Sequence, residues 1–561
     1  MPMNTQSPWS AYWPHDWLMY WTHDLHKQFP DERPNGAPIS HLRALRGETV
    51  SAQLLIAAHR GDAHKWMTAS LTADGLDGAR LRMVRTVPVR YPCAGAGNAD
   101  AWYLRKTPGM YPDLLADLQS FWLNGGETRA LWLDIRVPDD QPAGDYTVTV
   151  QLTDGETTAE AALTVTVLAA QLPAQTMQCT IWFHADCLAD YYGVPVFSEE
   201  YWAITARFMR ALADSGSNMI LTPIFTPPLD TEIGGERTTV QLIDVTRRAD
   251  GSYAFGFDRL RRWIDTATAN GLRYFEISHL FTQWGAAAAP KVMAHTPDGD
   301  RRIFGWDTPS DGEYLAFLEC LLPQLAAQLR AFGVADRCRF HLSDEPSEAH
   351  LPHYLALKAR IAPLLAGFTM TDALSHYDFY AQGAVQVPVV ALNHAQPFLA
   401  HDVRPLWVYY CCSQGNCGES NRFIAMPSAR NRVLGFQLYL HGAAGFLQWG
   451  FNFYNDSHSR HPIDPFADTD ADGAFPAGDT FLVYPGAGGV PLGSIRQMVF
   501  AEAMQDVRLC EWAAARLGAE TVRQMIVAGG VRSFFDYDRA PETLLALRDR
   551  LIDAVLAAET A

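Results

Sequence analysis

Two adjacent carboxylates, Asp344 and Glu345, stand inside the string His341-Leu342-Ser343-Asp344-Glu345-Pro346. Residues 337–342 read as a short strand, and Pro346 blocks its regular continuation. Neighbours on a strand point to opposite faces, but where a strand ends the backbone can turn and bring both side chains to one site. Two acids, one protonated and one ionised, are the minimum equipment for cleaving a glycosidic bond. The same string can instead do no more than cap a helix. Pro352 is the better first-turn proline, which puts the next helix start near Leu351 and leaves residues 344–350 as an extended loop.

Such a dyad needs a scaffold. From Met177 onward, strand-like runs alternate with helical ones. The strand candidates are 178–184, 218–222, 272–278, 337–342, 367–371, 387–392, 406–411 and 445–449. Helical stretches fall at 199–214, 258–270, 311–332, 352–365 and 428–441, with a further helix expected over 494–517. Eight strands with helical connections count as a (β/α)8 TIM-like barrel. In a barrel, chemistry sits at the carboxyl ends of the strands. Asp344 and Glu345 end the fourth. Other polar or aromatic residues at such ends include His184, Asp186, His279, Asp372, Asn393, His394, Tyr410, Gln448, Trp449 and Asn452. Each alone is as easily a satisfied buried group as a ligand contact.

Ahead of the barrel, residues 1–172 read as short alternating strands punctuated by turns such as Pro142-Ala143-Gly144-Asp145, the pattern of a β-sandwich. The fold class is therefore multidomain α/β. An N-terminal β-sandwich (1–172) is followed by the catalytic barrel (173–517) and a C-terminal helical tail (518–561) packed on it. Residues 455–493, rich in Gly, Pro and Asp, read as a long loop over one barrel end.

The 561 residues carry a formal net charge of −18, which disfavours nucleic acid and anionic membranes as partners. No apolar stretch is long enough for membrane insertion. The first twenty residues have neither a basic start nor an apolar run, so the expected location is cytoplasmic, or secreted if a leader has been removed. Nine cysteines show neither a disulfide framework nor zinc spacing, and no metal or other cofactor is expected. Oligomeric state has no signal in the sequence.

The string HLSDEP resembles the Asp-Glu motif of glycoside hydrolase family 123 and the related domain of unknown function 4091. YYCCSQG (409–415), NRFIAMPSARNRVLGFQLY (421–439), GFLQWGFNFY (445–454), FLVYPG (481–486) and SIR (494–496) fit the same pattern. VPVRYP (87–92), YPDLL (111–115) and PAGDY (142–146) resemble the sandwich that precedes the barrel in these proteins. The resemblance implies a retaining, exo-acting β-N-acetylgalactosaminidase that works by substrate-assisted catalysis on a glycan or glycolipid oligosaccharide. Asp344 would orient the 2-acetamido group, whose carbonyl oxygen displaces the leaving group and forms an oxazoline. Glu345 would be the general acid and then the base. Trp449 is expected as a stacking platform. Asn393, His394, Tyr410, Gln448, His279 and Asn452 are expected as substrate contacts from their strand-end positions. Gln448 stands where the family pattern calls for histidine. Two alternatives stay open: a glycosidase on another sugar with Glu276 or Asp372 as enzymic nucleophile, and a non-catalytic carbohydrate-binding protein.

Overall fold

A computed structural model of the chain describes residues 17–58, 64–93, 100–283, 285–346 and 348–560. Its N-terminal region is built from two sheets. The five-stranded sheet orders His41–Arg46, Thr158–Gln171, Gly144–Thr153, Lys65–Ala73 and Phe121–Leu123. The seven-stranded sheet orders Trp17–His23, Thr49–Ala58, Thr128–Arg136, Ala79–Val89 and Gly109–Asp117, then Pro491–Ser494 and Tyr484–Pro485. Period-two alternation decides which side chains go inward. Along Gly144–Thr153, Val148, Val150 and Leu152 are buried while Thr147 and Gln151 stay exposed. These residues meet Leu54, Ile56, Leu131 and Leu133 of the other sheet in one apolar cluster.

The last two strands of the seven-stranded sheet correct the sequence reading. Residues 455–493 are not loop throughout, because their end supplies two strands to the N-terminal sheet. Ser494 pairs with Leu114 and Gly493 with Leu115. A buried ion pair backs this join, Arg496 Nε to Asp113 Oδ1 at 2.9 Å. Tyr484 donates its hydroxyl to Asp113 Oδ2 at 2.7 Å. Pairing between segments so far apart in the chain leaves no local signature.

The second region is a closed barrel of eight parallel strands. In order they are Gln178–Ile181, Met219–Thr222, Tyr274–Ile277, Cys338–Phe340, Thr369–Leu374, Val387–Ala391, Trp407–Tyr409 and Gly445–Gln448. Each is followed by helix, among them Glu199–Asp214, Asp258–Ala269, Glu313–Ala331 and Leu351–Ile361. The final one, Ile495–Leu517, begins where the Ser494 hydroxyl accepts the Gln497 N–H. One correction bears on the site. The fifth strand runs to Leu374, so Asp372 lies within it rather than past its end.

Strand parity splits the barrel residues in two. Trp182, Leu221, Ala373, Val389, Trp407, Tyr409 and Leu447 form the cluster inside. Ile220, Phe275, Phe340, Val390, Val408, Tyr410 and Phe446 pack outward under the helices. The tail helix, Pro541–Thr560, packs on more than the barrel. Arg548 binds the buried Glu48 at 2.6 and 2.7 Å, and Arg43 binds Asp553 at 2.7 Å, so the tail also clasps the N-terminal domain. No helix among the described residues is long and apolar enough to cross a membrane.

Candidate active site

The strand Cys338–Phe340 delivers its chemistry in the six residues that follow it. His341 is fully buried inside the barrel. Its Nδ1 lies 3.1 Å from Asp372 Oδ1 and its Nε2 2.6 Å from Glu276 Oε1. Ser343 donates its hydroxyl to Thr282 O at 2.9 Å, pinning the loop. Asp344 then sits half-buried. Glu345 is exposed and has φ +43°, in the left-handed region that non-glycine residues rarely enter. That turn overrides strand alternation and lets two sequence neighbours line one cavity.

The cavity holds about 140 Å³ and is walled by Trp182, Leu229, Asp230, Gln283, Asp344, Glu345, Ala373, Tyr409, Cys411, Cys412, Leu447, Trp449 and Phe475. A larger cleft of about 670 Å³ lies between the N-terminal sheets and the barrel helices. Its sheet wall carries ion pairs such as Arg82–Asp134 and it contains none of the dyad, so chemistry places the site in the smaller cavity.

Burial, followed by repulsion from the neighbouring Glu345 carboxylate, raises the Asp344 carboxyl well above the ordinary carboxylate range. Tyr409 donates its hydroxyl to Glu345 Oε1 at 2.6 Å. The Trp449 indole N–H donates to Asp479 Oδ2 at 2.8 Å. Phe475 and Phe453 brace the Trp449 ring at centroid distances of 5.4 and 5.0 Å. Burial pushes Asp479 up to about 6. Gln283 accepts the Asp230 N–H at 2.8 Å. Its own amide nitrogen is buried with no partner among the described residues, so it is a donor free for a ligand.

Beneath the cavity lies a second acidic group. Glu276 accepts from Thr180 Oγ1 at 2.6 Å and Trp182 Nε1 at 2.9 Å. Asp372 accepts the Leu342 N–H at 3.0 Å and the Tyr354 hydroxyl. Burial opposes charge on His341, but its bonds to Asp372 and Glu276 outweigh that and raise its pKa to about 10. It is an imidazolium held between two acids. His279 lies beside it, 4.4 Å between ring centroids, and neither of its ring nitrogens has a partner among the described residues. His279, His341 and Asp372 bring possible ligand atoms within 4.8 Å of one another. Both His341 nitrogens already face carboxylates, so a metal there would have to displace those bonds.

Of the sequence-predicted residues, the structure brings Asp344, Glu345 and Trp449 together. The others fall outside the cavity lining. Tyr410 has outward parity and packs against Phe446 under the helices; its neighbour Tyr409 takes the inward place. His279 is buried beside His341. Gln448 is fully buried behind Trp449, where it donates to Asp479 O at 3.0 Å and accepts from Arg422. Asn452 is spent on the His184 backbone, accepting its N–H and donating to its O, each at 2.9 Å. Asn393 is exposed and accepts from Gln414 Nε2 at 2.9 Å, and His394 lies beside His376. Glu276 and Asp372 are locked on His341 and do not reach the cavity. The sequence reading missed Trp182, Asp230, Gln283, Tyr409 and Phe475. Inward parity on the first and seventh strands could have found Trp182 and Tyr409. The other three come from connecting segments that carry no periodic signal.

With this geometry in hand, two family models match the chain. The glycoside hydrolase 123 catalytic domain matches residues 182–513, and the glycoside hydrolase 123 N-terminal domain matches residues 23–154. No curated protein matches. Among solved structures, a family 123 glycoside hydrolase from Clostridium perfringens, studied for glycolipid glycan hydrolysis, superposes with TM-score 0.72. It is 12% identical, and the match covers 97% of this chain and 98% of that one. Bacteroides uniformis β-glucuronidase 3 matches with TM-score 0.32, 12% identity, and coverage of 87% and 51%.

Proposed function

Because the chain belongs to glycoside hydrolase family 123, we propose that it removes terminal β-linked N-acetylgalactosamine, or a related N-acetylhexosamine, from glycan or glycolipid oligosaccharides with retention of configuration. Similarity of fold to the Clostridium perfringens enzyme of glycolipid glycan hydrolysis supports this substrate class.

One observation carries the mechanism. The two acids of the cavity's reactive edge are consecutive residues on one side of a small, aromatic-walled site. A protein nucleophile in a retaining glycosidase needs its partner carboxyl about 5–5.5 Å away across the sugar. Consecutive residues suit two neighbouring atoms of one sugar instead, the acetamido nitrogen and the glycosidic oxygen. Trp449 stacks on the ring, and Asp230 and Gln283 meet its hydroxyls. Asp344 receives the acetamido N–H. As positive charge grows on that nitrogen, the ionised form of Asp344 is favoured. The acetamido oxygen attacks the anomeric carbon, the bond to the leaving oxygen breaks, and Glu345 protonates that oxygen. Glu345 then takes a proton from water, which opens the oxazoline at the anomeric carbon.

Hydrolysis of aryl β-N-acetylgalactosaminide and β-N-acetylglucosaminide, with inhibition by a thiazoline analogue, tests this. Tight thiazoline inhibition is expected, since only an acetamido-assisted site resembles it. Turnover of an aryl hexoside without an acetamido group at comparable rate, with no thiazoline inhibition, would overturn the reading.

A further inference from the structure

The face of the five-stranded sheet turned away from its core carries two tryptophans that stay about half exposed. Trp66 on Lys65–Ala73 and Trp122 on Phe121–Leu123 are direct cross-strand partners. They remain 49% and 52% exposed. Their rings meet edge to face, 5.1 Å between centroids at 64°. Met67, Phe121 and Leu123 next to them are in the core, so period-two alternation fixes both indoles outward. An aromatic pair of this kind steadies a short edge strand, but that role does not call for half of each indole to stay in water. Isolated exposed apolar residues are ordinary; two adjacent large ones on a flat sheet are not.

The rest of this face is largely hydroxylic, with one carboxylate, Glu160, beside Gln151. Thr68 Oγ1 lies 3.0 Å from Ser120 Oγ, and Ser70 pairs with Gln151 on the next strand. The nearest charges are cancelled or bonded: Lys65 holds Asp154 at 2.9 Å, and Gln151 Nε2 donates to Glu160 at 3.2 Å. In a chain of net charge −18, a face made mainly of hydroxyls does not suit an anionic membrane. It suits an uncharged ligand with an apolar face and many hydroxyls. A pyranose ring has both: axial C–H groups to lay on an indole, and equatorial hydroxyls for serine, threonine and glutamine.

The structure assigns to this face a second carbohydrate-binding site, outside the barrel, which holds a neutral oligosaccharide by stacking its rings on Trp66 and Trp122. It would keep the enzyme on a glycan-bearing surface and does not depend on which sugar the barrel cleaves.

The test is retention of the full-length protein on an array of immobilised neutral oligosaccharides. Wild type is compared with the double variants Trp66→Ala/Trp122→Ala and Trp66→Tyr/Trp122→Tyr. Binding to glycolipid-free phosphatidylcholine vesicles and turnover of an aryl N-acetylhexosaminide are measured beside it. The alanine pair should lose about tenfold or more in apparent affinity, and the tyrosine pair, which keeps two stacking rings, should retain most of it. Aryl-glycoside turnover should stay within about twofold, since both residues are surface positions remote from the dyad. Equal retention of wild type and the alanine pair, or retention of neither by any glycan, overturns the assignment. Vesicle binding lost in the alanine pair, with no glycan retention, overturns it in favour of a membrane contact.

Discussion

Glu276 and Asp372 lie on strands that flank the one leading to Asp344 and Glu345, yet the two acid pairs have opposite surroundings. The first pair is buried, saturated with hydrogen bonds and bridged by the His341 cation. The second reaches a cavity, and no described cation pairs with it. A buried acid that has its counter-ion is scaffold; acids without one, facing a cavity, are open to a ligand. Residue type does not separate the pairs. Partners do.

The sharpest way to break this contrast is Glu345→Gln, which should lower kcat on aryl N-acetylhexosaminides with poor leaving groups about 10²–10⁴-fold. The loss should shrink with a dinitrophenyl leaving group, which needs no protonation. Asp344→Asn should cost about 10²–10³-fold in kcat and weaken thiazoline inhibition. If Asp344→Asn left inhibition intact, its role with the acetamido group would be wrong.

The buried pair predicts the reverse signature. His341→Gln or Glu276→Gln should lose about 3–5 kcal/mol of stability, because one partner's charge is left alone in the core, and melting transitions read this directly. The pH dependence follows from His341. Its pKa rises from 6.5 unfolded to about 10 folded. Its stabilisation is therefore complete below pH 6.5 and fades as pH climbs through about 10. His341→Gln should flatten that alkaline decline. Smallest of all, Tyr409→Phe should reduce kcat about tenfold by removing the bond to Glu345, whereas Tyr410→Phe, whose hydroxyl is buried without a described partner, should leave it unchanged. Equal effects from the two tyrosines would refute the parity argument.

How far the sequence carried depended on whether a signal was local. Glu199–Asp214 is a helix with Ser198 as its cap and acids in its first turn, and it reads directly from residues 199–214. The eight barrel strands were legible as apolar runs, but the short helices Tyr377–Ala381 and Ala395–Ala400 between the fifth, sixth and seventh were not read. The site was legible only at Asp344, Glu345 and Trp449. Tyr410 was preferred to Tyr409 because a strand end is blurred by a residue or two in sequence, and a shift of one residue reverses the face. Asn452 and Gln448 look like sugar ligands by type, but their hydrogen bonds are consumed by backbone and by Asp479, which only packing shows.

The chain's residues by themselves set the alternation of strand and helix, the doublet of acids at a strand end and the family pattern around it, because these depend on neighbours in the chain. Tertiary structure decided which acids are free. It alone placed His341 between Glu276 and Asp372, turned Glu345 through a left-handed backbone to join Asp344, and brought residues 484–494 back to close the N-terminal sheet. Those outcomes depend on burial and charge contributed by segments distant in sequence, and no local pattern records them.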